Sequence, residues 1–188
     1  VLCTATQPAL GPLLREFAPA LPMEELCPMA AADWDAFRRV TFRRTEKLTW
    51  DELARQLQGQ QQVLCVVNSR KAAQDVFHRI AGEGSFHLST LMVPVHRRAV
   101  LEEVRRRLRE GLPCRVVSTS LIEAGVDVDF PAVYREEAGL DSILQAAGRC
   151  NREGRCAPED SIVTIFGRED KPPKLFAAAI GVGRVVLN

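Results

Sequence analysis

Six short apolar or β-branched runs alternate with longer segments of helical period in this chain, and that alternation most narrows what it can fold into. Strands separated by helices run parallel, so the pattern predicts an α/β domain: a parallel sheet with helices on both faces. Strands are expected near residues 40–43, 63–68, 86–90, 115–118, 132–135 and 162–166. Helices are expected over 50–57, 69–81, 95–110, 141–150 and 175–182, with Thr49, Ser69, Pro94 and Asp141 as cap or turn residues. Residues 9–33 are rich in proline and alanine with little periodicity and read as a connecting segment.

The 188 residues suffice for one ordinary domain. No apolar run approaches the roughly 20 residues of a membrane span, and hydrophobic and charged fractions of 46% and 26% are ordinary for a soluble domain. Six cysteines form no C-x-x-C pair, and three histidines offer little to complete a metal site, so no metal is expected. Cys65 and Cys114 lie within apolar runs as small hydrophobes, and a reducing cytoplasm is the expected setting.

Formal net charge is only +1, so the overall balance does not argue for nucleic acid. Locally, Arg97, Arg98, Arg105, Arg106, Arg107, Arg109 and Arg115 stand against three glutamates in the same stretch. Glu102 and Glu103 have the i,i+4 spacing to pair with Arg106 and Arg107, which makes residues 105–109 a solvated face.

The segment QAAGRCNREGR, residues 145–155, places Arg149 and Arg152 three residues apart at an expected helix end, on one side of it. Two readings stay open. A rigid guanidinium pair can clamp the charge on a transferring phosphoryl group, with Gln145 orienting water or a phosphate oxygen. The same arginines could instead favour a helix dipole in solvent. Upstream, VVSTSLIEAGVDVDFP leaves an apolar run at Ser118 and Thr119. Hydroxyls at the carboxyl end of a strand meet ligands in open α/β sheets. Gly125 permits a left-handed turn, and Asp127 can accept a hydrogen bond from a sugar hydroxyl; a plain Asp- and Gly-rich turn is the alternative. Ser69 at a strand-to-helix junction can cap the helix, seat a phosphate, or both.

In this order and about twenty residues apart, the last two blocks resemble motifs V and VI of superfamily 2 helicases. STSLIEAGVDVDFPAVYREEAGLDSILQAAGRCNREG is similar specifically to the type I CRISPR-associated helicase-nuclease. VLCTATQPAL resembles motif III, VLCVVNSRKAA resembles motif IV, and HLSTLMVPVHRRAVLEEVRRRL resembles the block that follows it.

The resemblance implies a RecA-like second motor lobe of an ATP-dependent DNA helicase. It divides the chain into residues 1–11, the end of the first lobe, 12–36, a linker, and 37–188, the second lobe. Arg149 and Arg152 are then finger arginines, Gln145 assists them, and Gly125 and Asp127 meet the nucleotide. Asn68, Ser69, Arg70, His96, Arg97, Ser118 and Thr119 line single-stranded DNA, and Thr4 and Thr6 couple hydrolysis to strand movement. Implied partners are the CRISPR guide-RNA surveillance complex, the first RecA-like lobe and the HD nuclease domain of the same protein, with no membrane.

No G-x-x-x-x-G-K-[ST] loop and no acidic D-E-x-[DH] quartet occurs. ATP with Mg2+ would therefore depend on the first lobe, which holds the metal. Opening on Val1, the chain reads as a fragment that neither hydrolyses ATP nor cuts DNA by itself. Competing readings are a standalone nucleic-acid-binding or interaction module, and a lobe of an RNA helicase.

Overall fold

The computed structural model describes residues 30, 35–122, 125–168, 177 and 179–181. The chain divides into two units, Val1–Arg38 and Arg39–Asn188. Thr4 and Thr6 lie outside the described residues, as does nearly all of the first unit.

The second unit holds β1 (Thr41–Leu48), α1 (Trp50–Gln58), β2 (Gln62–Val66), α2 (Arg70–Ile80), β3 (Ser85–Leu88) and α3 (Pro94–Arg109). After these come β4 (Cys114–Ser118), β5 (Ala132–Glu136), α4 (Leu140–Ala147) and β6 (Ile162–Arg168). The strands form one six-stranded sheet in the order β1-β6-β5-β2-β4-β3, with every pairing parallel. This is the α/β architecture the alternation predicts.

The sheet is covered on both faces, and β2 shows how. Alternate side chains of a strand point to opposite faces. Leu64 and Val66 pack in one cluster with Val104 of α3, Val116, Phe130, Val133 and Ala146 of α4. Val63, Cys65 and Val67 pack in another with Leu53 and Leu57 of α1, Val76 of α2, Tyr134 and Phe166. A central strand buried on both faces must be apolar throughout, as VLCVV is.

Each helix starts where its sequence supplies a stop for the preceding strand. Thr49 forms a capping box with Glu52, and the Ser69 hydroxyl accepts the Ala72 N–H at 3.1 Å. Pro94 occupies the first turn of α3, where its missing N–H costs nothing.

Two expected boundaries move. β1 runs on to Leu48, with a register shift between Arg44 and Lys47. Among the described residues β1 pairs with β6 alone, and as an edge strand it tolerates Arg43, Arg44 and Lys47. α4 stops at Ala147 rather than continuing to residue 150, because the backbone beyond it pairs elsewhere. The Phe130 N–H donates to the Arg149 carbonyl at 2.9 Å, and the Asn151 N–H to the Phe130 carbonyl at 3.0 Å. Of the expected helix at 175–182, residues 177 and 179–181 are helical and the others lie outside the described residues. Among the described residues no helix is long and apolar enough to cross a membrane.

Candidate functional site

In an all-parallel sheet every strand ends on the same edge, so the turns after β2, β4 and β5 gather there. Strand order reverses between β2 and β5, where an open α/β sheet leaves a crevice. Asn68 bridges it. Its N–H donates to Glu136 Oε2 at 2.7 Å, its Nδ2 to the Glu137 carbonyl at 2.8 Å, and its Oδ1 accepts from Arg135 Nη1 at 2.7 Å. Burial pushes the Glu136 carboxyl above its ordinary value, opposed by the Asn68 N–H and by Arg168 and Arg135. The side chain of Asn68 is therefore a brace within the fold rather than an open polar arm.

Other expected nucleic-acid contacts divide by exposure. Ser69 and Arg70 are exposed at the start of α2. His96 is exposed and Arg97 half-buried in the first turn of α3, which no side chain caps. The first N–H groups of an uncapped helix have no intrahelical acceptor, so this end favours an anion. Thr119 retains a little surface, but Ser118 has none. The single Ser118 hydroxyl proton is shared between the Thr119 carbonyl at 3.0 Å and the Leu88 carbonyl of β3 at 3.3 Å. This corrects the expectation for Ser118: a side chain sealed between strands cannot reach a ligand.

The second gathering point joins the loop before β5 to the loop after α4. Gly125 takes φ 70°, the left-handed turn its position suggested. Asp129 accepts the N–H of Arg152 at 2.7 Å and that of Glu153 at 3.4 Å. Arg152 Nε lies 3.0 Å from Asp127 Oδ1, with the two side chains 44% and 80% exposed. Arg149 is only 8% exposed, and its Nε donates to the Ile122 carbonyl at 3.0 Å. Gln145 is half-buried in the last turn of α4.

The structure thus brings Arg152 and Asp127 together, while Arg149 is buried and bonded to the Ile122 carbonyl. It also corrects how the arginines are presented. Both lie beyond the end of α4, so no common helix face carries them; the bridge between Phe130 and Cys150 does.

Three residues not singled out in the sequence hold this arrangement. Asn151, at φ 46° and 3% exposed, donates from Nδ2 to the Arg39 and Cys156 carbonyls and accepts the Cys156 N–H. Arg39 donates from Nη1 to the Arg152 carbonyl. Asp129 is the third. The available signal was the residue type alone: Asn tolerates left-handed backbone, and Asp accepts N–H groups in turns.

Part of the cationic helix is engaged in ion pairs along its own surface. Arg106 pairs with Glu103 at 2.7 Å and with Glu110, and Arg107 pairs with Glu103 at 2.7 Å. Hydrogen bonds from Arg106 and then Arg107 hold the Glu103 carboxyl down at about 2. Glu103 therefore takes the Arg106 partnership that spacing offered to Glu102. Arg107 also lies over the Phe86 ring, 5.7 Å from its centroid, and Arg105 Nε donates to the Asp127 carbonyl at 2.8 Å. Cys65, Cys114 and Cys150 are buried free thiols, and burial pushes Cys114 and Cys150 up to about 12.

Comparison with known proteins shows what the chain is similar to. Residues 59–155, more than half of the chain and the span of both gathering points, match the family model for the CRISPR-associated nuclease/helicase Cas3, C-terminal. A CRISPR-associated nuclease/helicase Cas3 from Haloferax volcanii is 39% identical over 83 residues, covering 43% of this chain and 9% of that protein. One from Methanothermobacter thermautotrophicus is 30% identical over 121 residues, covering 62% of this chain and 14% of that protein.

Among solved structures, T. fusca Cas3 with ATP aligns at TM-score 0.56 and 16% identity, over 89% of this chain and 21% of that one. Mycobacterium smegmatis helicase Lhr bound to single-stranded DNA and AMP-PNP aligns at TM-score 0.56 and 19% identity, over 88% and 23%. These likenesses establish a RecA-like fold. Together with the family match over residues 59–155, they lead to one conclusion: the chain belongs to the C-terminal family of the CRISPR-associated nuclease/helicase Cas3.

Proposed function

We propose that residues 37–188 are the second motor lobe of an ATP-dependent helicase-nuclease that unwinds and translocates on DNA in type I CRISPR interference. The observation that carries this reading is the shared rooting of Arg149, Arg152 and Asp127 on two loops stitched together through Phe130 and Asp129. A carboxylate and two guanidiniums on one rigid mount suit a nucleoside triphosphate: the carboxylate for a ribose hydroxyl, the guanidiniums for phosphate charge.

ATP supplies the free energy for the motor, with Mg2+ held by the first lobe. Arg149 and Arg152 offset the negative charge that develops on the phosphates, Gln145 orients a polar group beside them, and Gly125 lets the backbone approach. Residues 1–11 then belong to the end of the first lobe, where Thr4 and Thr6 couple hydrolysis to movement, and residues 12–36 link the lobes.

Ser69, Arg70, His96, Arg97 and Thr119 form one side of a single-stranded DNA track, with Asn68 bracing it from within. Such a track holds phosphates and reads no bases, which translocation requires. The complete protein, with its HD nuclease domain, is recruited in the cytoplasm by a guide-RNA surveillance complex, and the lobe alone is inactive.

In the full protein, Arg149→Ala and Arg152→Ala are each expected to lower ATP turnover about 10³-fold or more. Binding of single-stranded DNA should change little. Normal turnover in both variants overturns the reading.

A further inference from the structure

We infer that Asp129 is the positioning residue that aims Arg152, an inference that rests on the reading of Arg152 as a phosphate-facing arginine. Three successive attachments hold the loop after α4 against the segment entering β5. The Phe130 N–H meets the Arg149 carbonyl at 2.9 Å, and the Phe130 carbonyl accepts the Asn151 N–H at 3.0 Å. The Asp129 carboxylate then takes the N–H of Arg152 at 2.7 Å with one oxygen and that of Glu153 at 3.4 Å with the other. The first two are backbone to backbone and survive any change of side chain. The third, at Arg152 itself, is made by a side chain.

Beyond this anchor the guanidinium has separate holds. Arg152 Nε contacts Asp127 at 3.0 Å, in a pair whose side chains are 44% and 80% exposed. An ion pair so open to water is weak and readily exchanged, whereas a carboxylate on two backbone N–H groups is a directed, charge-assisted contact. The two carboxylates therefore divide the work. Asp129 fixes where the Arg152 side chain originates, and Asp127 holds its tip in a contact that a more highly charged phosphate can replace. Displacing a group that stabilises a transition state by about an ångström can cost roughly 10²-fold in rate.

The test is steady-state ATP hydrolysis in the full protein with saturating DNA. Asp129→Ala is expected to lower kcat roughly 10- to 100-fold with KM for ATP within about twofold. Asp129→Asn keeps an oxygen acceptor for the Arg152 N–H and should recover most of the loss. In an Arg152→Ala background, Asp129→Ala should lower kcat no further, because the group it aims is gone.

A folded Asp129→Ala enzyme with unchanged kcat overturns the inference, as does a raised KM at normal kcat or a further loss in the Arg152→Ala background. If Asp129→Ala does not fold, Asp129→Asn and Asp129→Ser replace it: kcat should fall in the order Asp, Asn, Ser, and equal values in folded enzymes overturn the inference. Arg152→Ala alone separates the two levels. Normal turnover there defeats the reading of Arg152, whereas turnover lost in that variant but intact in Asp129→Ala defeats only the positioning role.

Discussion

Asn151 combines two demands in one residue: a left-handed backbone at φ 46° and a buried amide with three backbone partners. Alanine satisfies neither, while glycine satisfies the first. Each lost hydrogen bond is worth about 1 kcal/mol, so Asn151→Ala should destabilise the chain by about 3 kcal/mol. Asn151→Gly should lose about 1 kcal/mol less, having no Cβ to strain. Urea unfolding of both variants checks this; equal losses would mean that backbone strain contributes nothing at 151. The same residue marks the limit of what the sequence discloses. Arg149, Arg152 and Asp127 carry charge whose purpose can be read from residue type and order. Asn151, besides its two bonds to Cys156, and Arg39 each bond backbone more than a hundred positions away, and no local spacing encodes such a partner.

Among the elements, helices and strands were legible because each announces itself locally. Thr49 and Glu52 form the reciprocal pair of hydrogen bonds that starts α1, with the Thr49 N–H to Glu52 Oε2 at 2.8 Å and the Glu52 N–H to Thr49 Oγ1 at 3.2 Å. Thr49→Ala removes one of these and should cost about 1 kcal/mol, measured as a lower urea midpoint at unchanged slope. A midpoint equal to that of the parent would show that packing of Leu53 and Leu57 alone holds the helix. The end of α4 was less legible, since its periodicity runs on through Arg149 and only the pairing with Phe130 interrupts it. The distant partner overrides the local pattern. β1 behaves likewise: its polar residues gave little sign of an eight-residue strand until β6 stood beside it.

For the whole molecule, a formal charge of +1 conceals an uneven surface. Arg106 and Arg107 share Glu103, and Arg106 also pairs with Glu110, so part of the cluster that looks most basic in the sequence is already engaged within the helix. The uncapped start of α3 adds Arg97, half-buried, beside exposed His96 and Arg98. If Arg97 contacts one phosphate of a single strand, Arg97→Ala in the full protein should weaken binding to unrelated sequences alike. It should also make the dependence of log affinity on log salt shallower by about 0.7. Fluorescence anisotropy across a salt series measures both, and an unchanged slope removes Arg97 from the track.

The position of β6 between β1 and β5 has a consequence for how the chain is made. Thr41 pairs with Ile162, so within this sheet β1 waits for β6. Parallel pairings between segments so far apart form slowly, because the closing loop is long. When synthesis has reached residue 161 and β6 is still to come, the strands of a β5-β2-β4-β3 sheet are present, with the outer edge of β5 open and β1 unpaired. During that interval the nascent chain exposes strand edges that a chaperone, or a neighbouring copy, can occupy before β6 does.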